Sequence, residues 1–266
     1  MAVVGTRVRP NADVDHPGLA VGMMGMYIFL ASEVMFFGSL FAVYYYMFGS
    51  HPFGWPPPGT VPVDWWPVPT INTVVLISSG VSCHFALDAI SHDGRLAGRT
   101  GQVAAAIMGV GMVLMVLTGA IAVFTGNRVA GALGLVSAVF ALGCMAAMLG
   151  LGPFGRGRAT FIGLLIGTIL LGAGFEFGQA WEFIHAHIKF SGPNQFSSAF
   201  FTMTGFHGAH VMGGLIFLLL ILARALRGQF DGRHHVGVAA ATLYWHFVDV
   251  VWVFLFTILY VAVTAI

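Results

Sequence analysis

Seven long apolar segments run through this chain, and they constrain its fold more than any other feature. A helix needs about 20 residues to cross the roughly 30 Å of hydrocarbon in a bilayer. Hydrophobic residues make up 58% of the 266 residues and charged residues only 8%, whereas soluble domains carry about 25% charged residues. The pattern predicts an all-α fold, a single polytopic transmembrane bundle over residues 1–266. The predicted spans are 17–47, 69–90, 102–125, 130–151, 159–187, 196–223 and 236–265.

The basic residues predict how these spans cross the membrane. Loops on one side of the seven spans carry nine arginines, whereas the other side carries only Arg128 and Lys189. The positive-inside rule therefore predicts a cytoplasmic N-terminus and a C-terminus on the outer side. Residues 1–18 have no short apolar core before a small-residue cleavage site, so we expect no cleaved signal. The nine arginines are Arg7, Arg9, Arg95, Arg99, Arg156, Arg158, Arg224, Arg227 and Arg233.

Composition also excludes some classes of partner and site. The net charge is +1 and the arginines are scattered, so no basic surface for nucleic acid is expected. Both cysteines, Cys83 and Cys144, lie inside apolar runs, which favours neither a disulfide nor a thiolate metal site. The longest predicted outer loop, residues 48–69, has three tryptophans and seven prolines but no Lys or Arg. It is typical of an ordered aromatic cap at headgroup level.

The first span carries one acid, Glu33, about halfway along it. Phe29, Phe36 and Phe37 lie one turn away, so an ionised carboxylate would be poorly solvated there. We expect Glu33 to be protonated or to have a hydrogen-bonding partner on another helix. Two interpretations stay open, a structural acid and a role in proton handling.

A second polar group occurs in the segment 159–187. Glu176, Gln179 and Glu182 recur every three residues and therefore share one face of the helix. Because charged side chains are unfavourable in lipid, this face is predicted to turn into the protein. It could form interhelical hydrogen bonds that fix the packing, or it could line a path for protons or ions.

Histidines occur in the last two spans. His207 and His210 are three residues apart, and several glycines nearby would let another helix approach closely. Together with the Glu182 face they could make a metal site, because imidazole and carboxylate suit iron, zinc or copper, although the spacing is unspecific. His246 and Asp249 are also three residues apart, so a mutual hydrogen bond is expected to lower the cost of burying both. The glycines are Gly205, Gly208, Gly213 and Gly214.

Several stretches together resemble subunit III of the haem-copper terminal oxidases, most closely the cytochrome c oxidase type. They are SEVMFFGSLF, WPPPG, VPTINTVVLISSGVS, QAWEF, SAFFTMTGFHGAHVMGG, and HHVG followed by YWHFVDVVWVFLF. The resemblance covers roughly residues 16–95 and 159–266. It implies two family-like helices in 17–95, three in 159–266, and an inserted apolar pair in 102–151. The N-terminal helix pair of mitochondrial-type relatives is absent, and Ala239 and Leu243 replace the Glu and Trp of many relatives.

The resemblance implies a non-catalytic accessory subunit of an aerobic respiratory oxidase in a bacterial-type cell membrane. Such a chain would hold no cofactor of its own except bound phospholipid. Haem and copper would belong to the catalytic subunit I beside it. Subunit II would be a further partner, and the resemblance also allows membership of a respiratory supercomplex. The implied roles are support of proton uptake and translocation, oxygen access and stability of the catalytic subunit.

The resemblance also assigns roles to residues. Glu33 matches the acid known for reaction with carbodiimide, and Arg224 and Arg227 match positions that hold phospholipid headgroups. No residue of this chain is expected to be catalytic or to bind a metal. The buried polar motif expected to fix the bundle consists of Glu176, Gln179, Glu182, His207, His210, His246 and Asp249. Residues that could collect protons at the inner face are His92, Asp93, His234 and His235.

Three alternatives remain at this stage. The first is subunit III of a quinol-oxidising haem-copper oxidase. The second is a membrane metalloprotein or cytochrome that uses His207, His210 and His246 as ligands. The third is a proton-linked transporter that uses Glu33 and the Glu176 to Glu182 face, although no inverted repeat or pair of broken helices supports it.

Overall fold

The computed structural model describes residues 17–51, 54–91, 156–190 and 194–265. The predicted spans 102–125 and 130–151 lie outside these residues. Within the described ranges the regular structure is entirely helical, without a strand. In chain order the long helices are α1 (Pro17–Ser50), α2 (Val68–Ser91), α3 (Arg156–His185), α4 (Gln195–Leu226) and α5 (Val236–Phe256). A π-helical segment, Thr257–Ala262, and a last turn, Val263–Ala265, continue α5.

In the part of the chain that the structure describes, five helices are long and apolar enough to cross a membrane. They correspond to five of the predicted spans, so the all-α, membrane-spanning class is confirmed for the described residues.

A side-chain cap at Asn194 explains where α4 begins. The side chain of Asn194 accepts a hydrogen bond from the backbone N–H of Ser197 at 3.0 Å and donates one to Oγ1 of Thr60 at 2.8 Å. Asparagine is among the best residues at this position because it satisfies an N–H that has no partner within the helix.

The helices form a core of four with one helix outside it. Pairs of neighbours are α2 with α3, α3 with α4, α4 with α5, and α5 with α2. Helix α1 packs on the outside, mainly against α5 and to a lesser extent against α4. Only 11% of the apolar window of α1 is buried, compared with 56% in α2 and α3. Most of α1 is therefore available to lipid or to a partner.

One tryptophan joins all four core helices. The indole of Trp245 on α5 is fully buried, and its Nε1 donates to Oγ of Ser79 on α2 at 2.9 Å. Its ring lies against two glycines: a Cβ on Gly172 of α3 would be 2.6 Å from the indole, and one on Gly214 of α4 would be 2.8 Å from it. The predicted close approach at Gly214 is thus confirmed. At Gly205 no such approach is seen among the described residues, since none of them lies within 4 Å of a Cβ there.

Small polar side chains of α2 hold α3 against it. Asn72 donates to the carbonyl of Phe175 at 3.0 Å, and the hydroxyl of Ser82 donates to the carbonyl of Leu164 at 2.9 Å. A Cβ on Gly178 would lie 2.5 Å from Asn72 Oδ1, so the two helices are close where this amide crosses. In a bilayer, where apolar burial gives little drive for helix association, such contacts and small residues set the packing.

The tryptophans of the loop before α2 divide between core and surface. Trp55 is buried, donates to the hydroxyl of Tyr44 at 3.0 Å and packs against Phe196. Trp65 and Trp66 are 44% and 60% exposed, as an aromatic cap at headgroup level requires. Trp55 instead packs in the core, where it is bonded to α1.

Candidate functional site

Glu33 on α1 meets His210 on α4. Oε2 of Glu33 lies 2.9 Å from Nε2 of His210, while Nδ1 of the same ring lies 2.7 Å from the backbone carbonyl of Phe206. The two side chains are only 16% and 18% exposed, and the ring of Phe37 packs edge-on against His210. The hydroxyl of Tyr244 donates to the backbone carbonyl of His210 at 2.9 Å. Glu33 thus has the partner on another helix that its position demands.

The partners of His210 fix how many protons the pair holds. A carbonyl oxygen can only accept, so Nδ1 carries a hydrogen and donates it to Phe206. Nε2 then either accepts a hydrogen from a protonated Glu33 or donates one to a Glu33 carboxylate. In both arrangements a single proton lies between the two side chains.

The acidic face of α3 turns into the bundle, as the spacing predicts. Gln179 and Glu182 are 3% and 5% exposed. Oε1 of Glu182 accepts a hydrogen bond of 2.5 Å from the hydroxyl of Tyr260 in the π-helical segment. Glu176 lies against α4, where a Cβ on Gly208 would be 3.1 Å from its Oε1. This face therefore connects α3 with both α4 and the end of α5.

The two histidines of α4 face different neighbours. The ring of His207 is fully buried, stacks on Trp252 at 5.0 Å and packs edge-on against Phe175 of α3. His210 instead points to Glu33 of α1. Among the described residues, no three side chains of His, Cys, Asp or Glu are grouped so that they could hold a metal ion. The hypothesis that His207 and His210 converge on one metal therefore lacks the required geometry.

Asp249 and His246 lie where α5 crosses α2. Asp249 is buried directly against Gly80, where an added Cβ would collide with its Oδ2. Nδ1 of His246 is 3.5 Å from that oxygen, which is long for a hydrogen bond. The His246 side chain is 40% exposed and lies beside His84 of α2, with ring centroids 5.9 Å apart. The expected mutual hydrogen bond is thus a weaker electrostatic contact in this structure.

Arginines gather at the end of the bundle where α3 begins and α4 ends, which we call the arginine end. Arg158 donates to the carbonyls of Ala225 and Leu226 at 2.7 and 3.0 Å, and so caps α4. Nε of Arg224 donates to Oε1 of Gln229 at 2.9 Å. The Arg224 guanidinium also lies 5.0 Å from the centre of the Phe230 ring. Arg227 is exposed at the C-cap of α4.

The loop that follows at the arginine end is built around Asp231. Its Oδ1 accepts hydrogen bonds from the backbone N–H groups of Arg233 and His234, and the His234 ring lies 3.1 Å away. These bonds lower the pKa of Asp231 below its ordinary value. The loop is therefore held while Asp231 is ionised and loses this support as the pH falls through the lowered pKa. His235 is the N-cap residue of α5, while His92 and Asp93 lie outside the described residues.

Sequence reasoning missed several residues of these sites. His84, like His246, is an ionisable residue inside an apolar segment. Its position in 69–90 was sufficient to mark it as a candidate functional residue. Arg158 appeared only as a loop charge, and its capping role depends on α4 lying beside α3. Tyr260 carries no local signal, since tyrosine near the end of a span usually marks an interface.

Comparison with known proteins decides the family. The model of the family described as cytochrome c oxidase subunit III matches residues 13–143 and 154–263 of this chain. The chain belongs to the cytochrome c oxidase subunit III family. The match agrees with the motif resemblance and also extends through residues 102–143, which carry none of the quoted motifs.

Individual members of the cytochrome c oxidase subunit III family match over most of the chain. Cytochrome c oxidase subunit 3 of Thermostichus vulcanus is 33% identical over 258 residues, which cover 97% of this chain and 94% of the relative. The proteins of the same name from Pongo abelii and Rattus norvegicus are each 32% identical. They cover 89% and 96% of this chain, and 67% and 74% of their own lengths. Membership implies a complex with other oxidase subunits in a membrane.

Proposed function

We propose that this chain is a non-catalytic accessory subunit of an aerobic respiratory cytochrome c oxidase in a bacterial-type cell membrane. It binds beside the haem-copper subunit I and subunit II, and holds no redox centre itself. Its arginine end faces the cytoplasm. Family membership and the five membrane-spanning helices support the proposal. The gathering of Arg158, Arg224 and Arg227 at one end supports the orientation.

The observation that carries a role in proton supply is the contact between Glu33 and His210. A carboxyl and an imidazole that hold one proton between them can pass it to a neighbour and take up another, which is the chemistry of a proton relay. The pair lies at the contact of α1 with the core, near the large exposed surface of α1. In this role the chain would store or deliver protons for the catalytic subunit without conducting electrons.

We expect Glu33→Gln to abolish labelling by a hydrophobic carbodiimide, because the reagent needs a carboxyl group and the amide has none. Assembly should be largely intact, since glutamine fills the same space and still reaches Nε2 of His210. The measurement is the mass of the labelled chain isolated from the purified oxidase. Glu176→Gln is the matched control and should keep the label. Labelling of the Glu33→Gln chain to the same extent as the unaltered chain would show that the reactive acid lies elsewhere.

Phospholipid binding is supported at the arginine end. Guanidinium groups bind phosphate through paired hydrogen bonds, and an inner leaflet presents such phosphates. Arg224 is held in place by Gln229 and Phe230, so less of its freedom is lost on binding. Arg227 follows it within one turn and is exposed.

Replacing both Arg224 and Arg227 with alanine should lower the amount of anionic phospholipid that the purified oxidase retains. Native mass spectrometry of the complex would measure it as the share of particles that carry bound lipid. Arg233→Ala, an exposed arginine of the same end, is the control and should retain lipid normally. Equal retention in the double variant and the control would refute this assignment.

Support of oxygen access is proposed for the wall formed by α1. Met24, Ile28 and Met35 are 61%, 66% and 77% exposed, and the surface around them is apolar. Oxygen is apolar and partitions into hydrocarbon, so a lipid layer held on this wall would supply it to the neighbouring subunit. The bundle itself would add stability by covering part of the catalytic subunit.

A further inference from the structure

Two histidines, His84 and His246, form a polar spot on the outer surface of α2 and α5, near the middle of the membrane. His84 of α2 is exposed, His246 of α5 is 40% exposed, and their rings lie 5.9 Å apart. A helix rises about 1.5 Å per residue, which places His84 about 7 Å and His246 about 5 Å from the midpoints of their spans. Both rings are therefore well inside the hydrocarbon, which reaches about 15 Å on either side of its centre.

These two rings lack the hydrogen-bond partners that His210 has, and unlike His207 they are not enclosed by the bundle. His210 uses both of its nitrogens, one with Phe206 and one with Glu33. Within the described ranges, His84 makes ring contacts with Phe85 and His246 but no hydrogen bond. Among the described residues, the one polar contact of the His246 ring is that of Nδ1 with Asp249, at 3.5 Å. Imidazole nitrogens without partners are unfavourable in hydrocarbon, so a complete assembly should supply them.

The surroundings of the spot suit another helix. Val74 and Ile77 of α2, and Val250 and Val253 of α5, are exposed around it. An apolar rim with a few polar side chains at its centre is typical of contacts between transmembrane helices. By sequence, the predicted spans 102–125 and 130–151 of this chain contain no acidic residue that could offer a carboxyl group. They are therefore poorly suited to partner two histidines.

We propose that the α2–α5 face around His84 and His246 is the docking surface for a transmembrane helix of another oxidase subunit. That helix carries a hydrogen-bonding side chain level with the two histidines. A carboxyl group is the closest match, because Glu33 fills this role for His210 within the chain. The inference rests on the proposed function, which makes the chain one subunit of an oxidase complex, and it adds where on the chain a partner binds and by what chemistry.

Photocross-linking in native membranes tests the surface without altering the histidines. A benzophenone amino acid is placed at Val250, which is 55% exposed in the rim, and separately at Met212, a residue of α4 that is 46% exposed. Both positions lie about 2 Å from the midpoints of the spans Val236–Ala262 and Gln195–Leu226, so they sample the same depth. We expect the Val250 probe to form adducts with a peptide of another subunit, and the Met212 probe to form mainly phospholipid adducts. Val250 adducts that contain only phospholipid, or only peptides of this same chain, would overturn the proposal.

The same samples separate this proposal from the proposed function. If the unaltered chain does not co-purify with a haem-bearing subunit, the proposed function fails. If the chain co-purifies with that subunit while the Val250 probe reaches only lipid, only the proposed docking surface is wrong.

The role of the histidines is tested by the double variant His84→Ala with His246→Ala. It should lower the ratio of this chain to haem after detergent extraction roughly tenfold. Ile216→Ala, an exposed position on α4, should leave that ratio unchanged. Equal ratios in both variants would overturn the part assigned to the histidines.

Discussion

Trp245→Ala should lower the free energy of unfolding of this chain by about 3 kcal/mol or more. The substitution removes a fully buried indole that lies between Gly172 and Gly214 and donates to Ser79. The cavity penalty applies in a bilayer as well as in water, because it reflects contacts that the surrounding atoms lose and cannot replace. Helices α3, α4 and α5 would line the resulting cavity, and Ser79 of α2 would lose the hydrogen bond from Trp245.

Denaturation of the detergent-solubilised chain by SDS, followed by circular dichroism, measures this effect. Trp66→Ala is the control, since Trp66 is 60% exposed in the loop before α2 and its removal should change the midpoint little. Trp245→Phe should be intermediate, because a ring remains but the bond to Ser79 is lost. A Trp245→Ala chain as stable as the Trp66→Ala chain would contradict the packing described here.

Gly214→Ala should destabilise the chain by about 1 to 3 kcal/mol, although alanine is the better helix former. Its Cβ would be 2.8 Å from two atoms of the Trp245 ring and 3.0 Å from the ring of Tyr244. The indole has little room to move, because it also packs closely against Gly172 of α3, where an added Cβ would lie 2.6 Å from it. Helices α4 and α5 would have to separate.

Gly205→Ala in the same helix is the matched control for Gly214→Ala. A Cβ at Gly205 would meet no described residue within 4 Å, so the substitution should be neutral or slightly stabilising. The SDS denaturation midpoint should therefore fall for Gly214→Ala and stay equal to or slightly above that of the unaltered chain for Gly205→Ala. Equal midpoints would mean that α4 does not approach α5 as closely as described.

The membrane-spanning fold could be predicted from the sequence because hydropathy reflects a simple requirement. Every span must place about 20 apolar residues in hydrocarbon. The prediction of 196–223 is accordingly close to the observed Gln195–Leu226. The end of the last span was harder to predict. The predicted helix 236–265 is an α-helix only to Phe256 and then continues as a π-helical segment. Composition gives little sign of such a change in hydrogen bonding.

The candidate sites could be predicted only in part. An acid or histidine inside an apolar run signals that a partner is needed, and this signal found Glu33, Glu182 and Asp249. It does not say which residue is the partner. His210 lies 177 residues from Glu33, and Tyr260 lies 78 residues from Glu182. Both pairings depend on the order in which helices pack, which one sequence does not contain.

Spacing alone misled in one place. His207 and His210 are three residues apart, which suggests one face and a shared ligand. In the structure His207 stacks on Trp252 of α5, whereas His210 bonds to Glu33 of α1. A helix surrounded by three neighbours can direct side chains that are less than one turn apart to different partners.

The central claim is that this chain serves an oxygen-reducing haem-copper enzyme without holding a redox centre. The most direct measurement is an absorption spectrum with metal analysis, made on the complex captured through a tag on this chain and then on the separated chain. The claim predicts haem bands, copper and oxygen consumption in the complex, and neither iron nor copper in the separated chain. Capture of no haem-bearing partner, or stoichiometric iron that stays with the separated chain, would contradict it.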